Sequence, residues 1–375
     1  LGEPETPDPL LTRAAEARKY SVQNRSTRLV PPDESLRSPR SGAGAEAGTG
    51  ESSRADRGRS SIGDGNPIGG DSGVRRIQLL PRTAAPPSVK SFENQDVLPV
   101  EQVTTVTGGI RLIVDGLDAP IGLAAPIPGE PTDQISLAAE NAVIWTRAAG
   151  GGGITPGVAR VQPVDFPLTV YLEGDIEIRQ GRNVIHARRA VYDIREDRGL
   201  LIDAELSTPV ANLGPNRTEG RIRVRARELR QFAEDNFRAR NAWTTTSEFG
   251  FPGYRVQSRE IFLEPRYDDV PQPGGELVTN PATGQTTTKT NWIRSFDNTL
   301  IFNSPSTGDI PAFNVPYLEA PAEDPQIPLR RIRYVNSDER GNGFEADWDP
   351  FVLFGVEQPT GVELDLLTAI YADRG

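Results

Sequence analysis

The sequence predicts an all-β protein built from stacked antiparallel strands, and three observations carry that expectation. Residues 170–206 alternate apolar and polar side chains with period two: Val170, Leu172, Ile176 and Ile178 share one side, Ile185 and Ala187 another, and Leu200, Ile202, Ala204 and Leu206 a third. Gly174, Gly181 and Gly199 punctuate these runs, as expected for half-buried strands joined by tight turns. A short unit of the form apolar-x-small-x-polar-apolar also recurs, beginning at Ala139, Ala187, Ala226 and Ser258 with spacings of 48, 39 and 32 residues. Such self-similarity is the mark of stacked β units, none of which buries its apolar face alone.

Taken in order, residues 1–95 are poor in apolar side chains and rich in Gly, Ser, Pro, Arg and Glu. They read as a disordered low-complexity arm, because the segment lacks the apolar surface to offset its ordering entropy. A short helix over Leu10–Tyr20 is the exception. Residues 96–264 form the repeat region, with a first unit at Gly109–Val114 and Ile135–Thr146 interrupted by an insertion over 116–133. A glycine loop, Gly150–Gly153, leads to the second unit. Turn chemistry places hairpins at Gln180–Asn183 and Asp197–Gly199. The small residue of each repeat marks a corner, where a large side chain would clash as the strand changes sheet. Residues 265–325 are a turn-rich loop to 290 followed by connecting strands that include Thr299–Asn303 and Ala312–Leu318. Residues 326–375 alternate again. Val362, Leu364, Leu366, Thr368 and Ile370 form an apolar face, of the length and pattern of a membrane β-barrel strand but equally that of a soluble sheet.

Composition narrows the function classes. The chain has 375 residues, no Cys and a single histidine, His186. This excludes disulfides, thiolate chemistry, Cys–His dyads and histidine-based zinc sites. A net charge of −11 argues against nucleic-acid binding. No apolar run approaches the length of a transmembrane helix. Beginning at Leu1 without a signal peptide, the chain reads as a mature or trimmed fragment.

Catalytic motifs fare poorly. Gly70-Asp71-Ser72-Gly73 resembles a serine-protease nucleophile loop, but that chemistry needs a histidine upstream of the serine, and His186 lies downstream. His186 sits between Ile185 and Ala187, so it points away from the core. Asp268-Asp269 and Asp347–Asp349 read as solvated acids rather than a glycosidase pair. The glycines of Gly42-Ala43-Gly44 follow no strand and form no dinucleotide fingerprint. No enzyme and no cofactor are expected. Arg179, Arg182, Arg188, Arg189, Arg221, Arg223, Arg225 and Arg227 form an outward face. It suits pairing with acids across strands, with contact to anionic headgroups as the alternative.

The run Leu172–Ile178 followed by Ile185–Asp193 resembles the OstA-like β-jellyroll repeat of lipopolysaccharide-transport proteins. Gly308–Leu318, Gly341–Glu345 and Tyr371–Gly375 resemble the LptD family of outer-membrane assembly proteins, at the handover from periplasmic jellyroll to barrel. The resemblance covers about 96–375. It implies an open, V-shaped jellyroll leading into the first strands of an outer-membrane β-barrel. It also implies non-enzymatic transport of a lipopolysaccharide-like lipid from periplasm to outer membrane, acyl chains in an apolar groove and sugars outside. An LptA-like jellyroll stacking edge to edge and an LptE-like plug lipoprotein are the implied partners. Groove residues under this reading are Val170, Leu172, Ile176, Ile178, Ile185, Ala187, Tyr192, Leu200, Ile202, Ile222 and Val224. Better-known members carry disulfides between jellyroll and barrel, and this Cys-free chain departs from them there. A secreted β-solenoid scaffold or adhesion module with a closed core is the competing expectation.

Overall fold

A computed structural model of the chain describes residues 8–23, 73–116, 134–148, 154–213, 218–233, 236–247, 252–268, 276–279, 284–304, 308–322, 329–337, 341–353, 356, 358–359 and 361–371. The Gly70–Ser72 part of the protease-like motif, Gly42–Gly44, Asp269, the insertion from 117 and the glycine loop lie outside these residues. The fold is all-β. One helix, α1 (Pro9–Gln23), precedes β1 (Val74–Pro81), β2 (Ser88–Asn94), β3 (Glu101–Asp115), β4 (Gln134–Arg147), β5 (Ala159–Pro163), β6 (Leu168–Gln180), β7 (Asn183–Asp193), β8 (Arg198–Leu213) and β9 (Thr218–Ala233). Then follow β10 (Asn236–Thr245), β11 (Tyr254–Asp268), β12 (Glu276–Thr279), β13 (Thr286–Ser304), β14 (Gly308–Pro321), β15 (Leu329–Ser337), β16 (Gly341–Trp348) and β17 (Leu366–Tyr371).

Strands β1–β14 form one antiparallel sheet, ordered β12-β13-β11-β10-β9-β8-β7-β6-β4-β3-β1-β5, with β14 added on β13 and β2 on β3. Strands β15–β17 form a second, three-stranded sheet. Neither sheet closes into a barrel among the described residues. Two sequence boundaries need correction. The sheet starts at Val74, inside the stretch read as a disordered arm, because β1 and β2 pair with opposite halves of β3. The stretch 265–290 is not one loop: β11 runs to Asp268 and pairs with β13 through Lys289 and Thr288. Threonine-rich β13 supplies β propensity where turn residues had suggested a loop.

A line of left-handed backbone positions crosses the large sheet. It comprises Gly108-Gly109 on β3, Gly174-Asp175 on β6, Asp203 on β8, Asn241 on β10 and Asp297 on β13. These are residue types that tolerate φ > 0. The pairing places them in one row. Glu173↔Arg189 and Ile176↔Ala187 bracket Gly174-Asp175, and Ile202↔Glu228 and Ala204↔Ala226 bracket Asp203. Arg240↔Glu228 and Ala242↔Ala226 bracket Asn241. The register shifts at this seam between β3 and β4, β4 and β6, and β6 and β7, as at β-bulges.

The seam steps the phase of side-chain alternation. On β4 the residues of the main core are Ile135, Leu137 and Ala139, then Ala142 and Ile144. On β7 they are Ile185 and Ala187, then Ala190 and Tyr192. The step of three replaces the step of two, and it coincides with the recurring unit read from the sequence. Small side chains stand where the step occurs: Ala139, Ala142, Ala187, Ala190, Ala204, Ala226, Ala239 and Ala242 are all buried. The seam divides the sheet into two walls. On β3, β2 pairs with Glu101–Thr107 and extends the first wall, whereas β1 pairs with Ile110–Asp115 and, with β5 on its other side, extends the second.

Candidate functional site

The main apolar cluster draws on both walls and runs from Ile77 and Leu79 on β1 to Ala239 and Ala242 on β10. Of the sequence-derived groove residues, Val170, Leu172, Ile176, Ile178, Ile185, Ala187, Tyr192 and Val224 belong to it, and half-buried Ile222 packs against it. Leu200 and Ile202 do not, and the expectation that they face the groove is corrected. Asp203, at φ 51°, steps the alternation on β8, so Leu201 joins the inner row with Ala204 and Leu206. Leu200 is buried outside the main cluster, opposite Val191, which belongs to a second cluster; Ile202 is half-buried opposite Arg189 and Glu228.

Burial varies along the row. Ile110, Leu112, Ile135, Leu137 and Leu172 are wholly inaccessible, whereas Ala187 and Val224 reach 9% exposure. Ala204 on β8 and Ala242 on β10 are again wholly buried, so accessibility is local to a few positions of the row, among them half-buried Ile222. Among the buried polar side chains, Thr146 donates to Gln162 Oε1 at 3.1 Å and Ser258 to Asn298 Oδ1 at 2.8 Å. Tyr192 has its ring against the backbone of Gly199 and donates from its hydroxyl to Asp197 Oδ1 at 3.4 Å; burial, with the nearby Asp197 charge, raises its pKa well above the ordinary phenol value.

The outward faces are charged and largely paired. Arg179 holds Glu177 with two hydrogen bonds, at 2.6 and 3.0 Å, and this pairing lowers the Glu177 pKa. Arg188 meets Asp203 at 2.5 Å, and Arg223 lies 3.8 Å from Glu205. Arg221 donates to Ser207 Oγ at 3.1 Å and to the Arg182 carbonyl at 3.1 Å. These contacts fit the pairing reading of the arginine face. His186 is exposed, as its place between two inward residues requires, and stands opposite Glu177 and Glu205.

No protein-family model matches the chain, and no curated protein matches it. The functional reading therefore rests on the two walls and their edges. Asp268 lies on β11 and Asp347 on β16, in different sheets, while Asp349 caps the turn that follows by accepting from Phe351 N at 2.9 Å. Among the described residues no His, Cys, Asp or Glu group is arranged to hold a metal ion, and no helix is long and apolar enough to cross a membrane.

Beyond β8 the outer face of the first wall carries an arginine–aromatic ladder that the sequence reading missed. Arg238 and Arg294 both lie over the Phe262 ring, at 5.4 and 5.8 Å from its centroid, and Phe296 meets Phe262 edge-on at 5.9 Å. Glu260 takes hydrogen bonds from Arg238 and Arg240. Partial burial alone would raise its pKa, but the hydrogen bonds and charges of these arginines outweigh that and hold it low. A carboxylate with a lowered folded-state pKa stabilises the fold at neutral pH and loses that contribution as pH falls through the carboxylate range. Glu260→Gln should accordingly be less stable than the parent in urea at pH 7. The gap should narrow as pH falls through the carboxylate range; a gap that persists after full acidification would assign the effect to packing instead.

Proposed function

We propose that the chain is a lipid conduit: an LptD-like jellyroll that carries a lipopolysaccharide-like lipid toward the outer membrane along its inner row. The observation that supports this reading best is the continuous apolar row, from β1 to β10, between two walls of an unclosed sheet. Each acyl CH₂ buried there would contribute about 0.8 kcal/mol. The free sheet edges suit strand addition by an LptA-like jellyroll partner. The edges at β14 and β2 differ. β14 carries Pro311, Pro316 and Pro321, which offer no amide proton, whereas exposed β2 contains no proline. The β2 end is therefore the better receptor for an incoming strand. Leu366, Leu367 and Ile370 of β17 are 40–75% exposed, which suits a sheet that continues into an outer-membrane barrel with an LptE-like plug.

The zero exposure of Ile110, Leu112, Ile135 and Leu137 favours a second reading, a scaffold or adhesion module whose core is closed. Photocrosslinking in cells separates the two. A benzophenone side chain at half-buried position 222, beside the inner row, is expected to give a lipid-sized adduct, and one at exposed position 225 none. Absence of the adduct at 222 in folded protein would favour the scaffold.

A further inference from the structure

Helix α1 lies on the outer face of the first wall, and its sequence is fitted to that place. Asp8 caps it, its Oδ1 accepting from Leu10 N at 2.9 Å, and Pro9 opens the first turn. Leu10 and Ala14, with Ala17 behind them, form a narrow small-to-apolar stripe at helical spacing. That stripe packs on Val143, Trp145, Tyr171 and Val191 of β4, β6 and β7, and Ala14 is wholly buried. Charged ends fix the register. Arg13 meets Glu173 at 3.0 Å next to the seam. Arg18 holds Glu101 with two hydrogen bonds, at 3.0 and 2.7 Å, and stacks 5.0 Å from the centre of the Trp145 ring. The Tyr20 ring lies 4.8 Å from the Arg230 guanidinium. Beneath the helix, Tyr171 donates to Glu173 Oε2 at 3.1 Å, and its pKa is pushed up to about 12 by burial and by the Glu173 charge.

The contact is specific but small. Only Leu10 and Ala14 are buried on the helix side. A 15-residue helix is marginal in water on its own, so α1 folds where it docks. Residues 24–72 lie between it and the first strand of the sheet in sequence. We infer that the outer face of the first wall is a helix-docking surface, occupied in cis by α1 as an exchangeable strap. The ligand chemistry it recognises is a short amphipathic helix with a Leu-Ala-Ala stripe flanked by arginines. Released, the strap uncovers the strip Val143–Tyr171–Val191 without disturbing the inner row on the opposite face.

The absence of cysteine makes the test direct. Spin labels at Glu16→Cys and Arg195→Cys, both exposed, report docking in the full chain by pulsed dipolar spectroscopy. The expected result is a narrow short distance together with a broad long one. Unlabelled peptide spanning residues 8–23, added at increasing concentration, should convert the narrow population into the broad one. Arg18→Glu should lower the docked fraction about threefold, and adding Glu101→Arg should restore it. A narrow distance unmoved by peptide would make α1 a fixed structural element. A wild-type chain with no narrow distance would remove the docking surface altogether. Either result overturns the inference.

Discussion

Leu201→Ala is expected to cost about 2–4 kcal/mol of stability, and Ile202→Ala, one residue on, about 1 kcal/mol or less. Leu201 is 5% exposed and stands on the inner row between its cross-strand neighbours Ala190 and Leu229. Truncating it removes four carbons' worth of contacts, less one, from a packed interior that cannot collapse without moving both walls. Ile202 points to the other side, half-buried between Arg189 and Glu228, where solvent and flexible side chains fill the space it leaves. Urea denaturation of the two variants measures the difference directly. A reversed order, with Ile202→Ala the costlier, would mean that β8 keeps simple alternation through Asp203 and that the seam does not step the phase. Leu200→Ala is a useful third variant. Leu200 is 5% exposed on the outer face opposite Val191, so its loss should be felt without touching the inner row.

That pair of neighbours marks where the sequence is legible and where it stops. Period-two alternation identifies the buried face of a strand only while the strand is regular. Alternation puts Val170 with Leu172 and Ile185 with Ala187, and all four are buried in the main cluster. On β8 the same rule, carried across Asp203, assigned Leu200 and Ile202 to the wrong side. The signal that could have corrected it was present. The small residues at Ala139 and Ala142, and again at Ala187 and Ala190, are three apart, which is a phase step written in sequence. An acid or asparagine followed directly by alanine, as in Asp203-Ala204 and Asn241-Ala242, accompanies it on the facing strands.

Other features left weaker traces. Strand β2 is nearly all exposed, so its side chains carry no apolar alternation; main-chain pairing with β3 makes it a strand. The stripe of α1 is mostly alanine, which contributes little to any hydropathy pattern yet lets the helix approach the wall closely. How tightly the inner row is packed was not legible at all. Alternation gives the face on which a side chain lies, whereas its exposure depends on the distance to the opposite wall.

Gly174→Val should be among the most damaging single substitutions at the seam, with an expected loss of about 3 kcal/mol or more. At φ 80° a β-branched residue is strained by about 1–3 kcal/mol. A side chain there also meets Glu140, whose Cβ lies 3.0 Å and Cδ 2.9 Å from the position a new Cβ would take. The backbone cannot turn aside, because Asp175 next to it is held by Arg82 through both its carbonyl and its carboxylate, each at 2.6 Å. Asp203→Gly is the matching control. Glycine adopts φ 51° without the cost aspartate bears, while the exposed pair with Arg188 that is lost is worth about 0–1 kcal/mol. It should therefore stay within about 1 kcal/mol of the parent. Chemical denaturation of both variants decides the point. If Gly174→Val is tolerated, the bend is imposed by packing of the walls and the left-handed residues merely accommodate it. If Gly174→Val is damaging and Asp203→Gly is not, the seam needs both a left-handed backbone and the space that Glu140 fills beside Gly174, and the chain turns between the two walls only where those conditions are met.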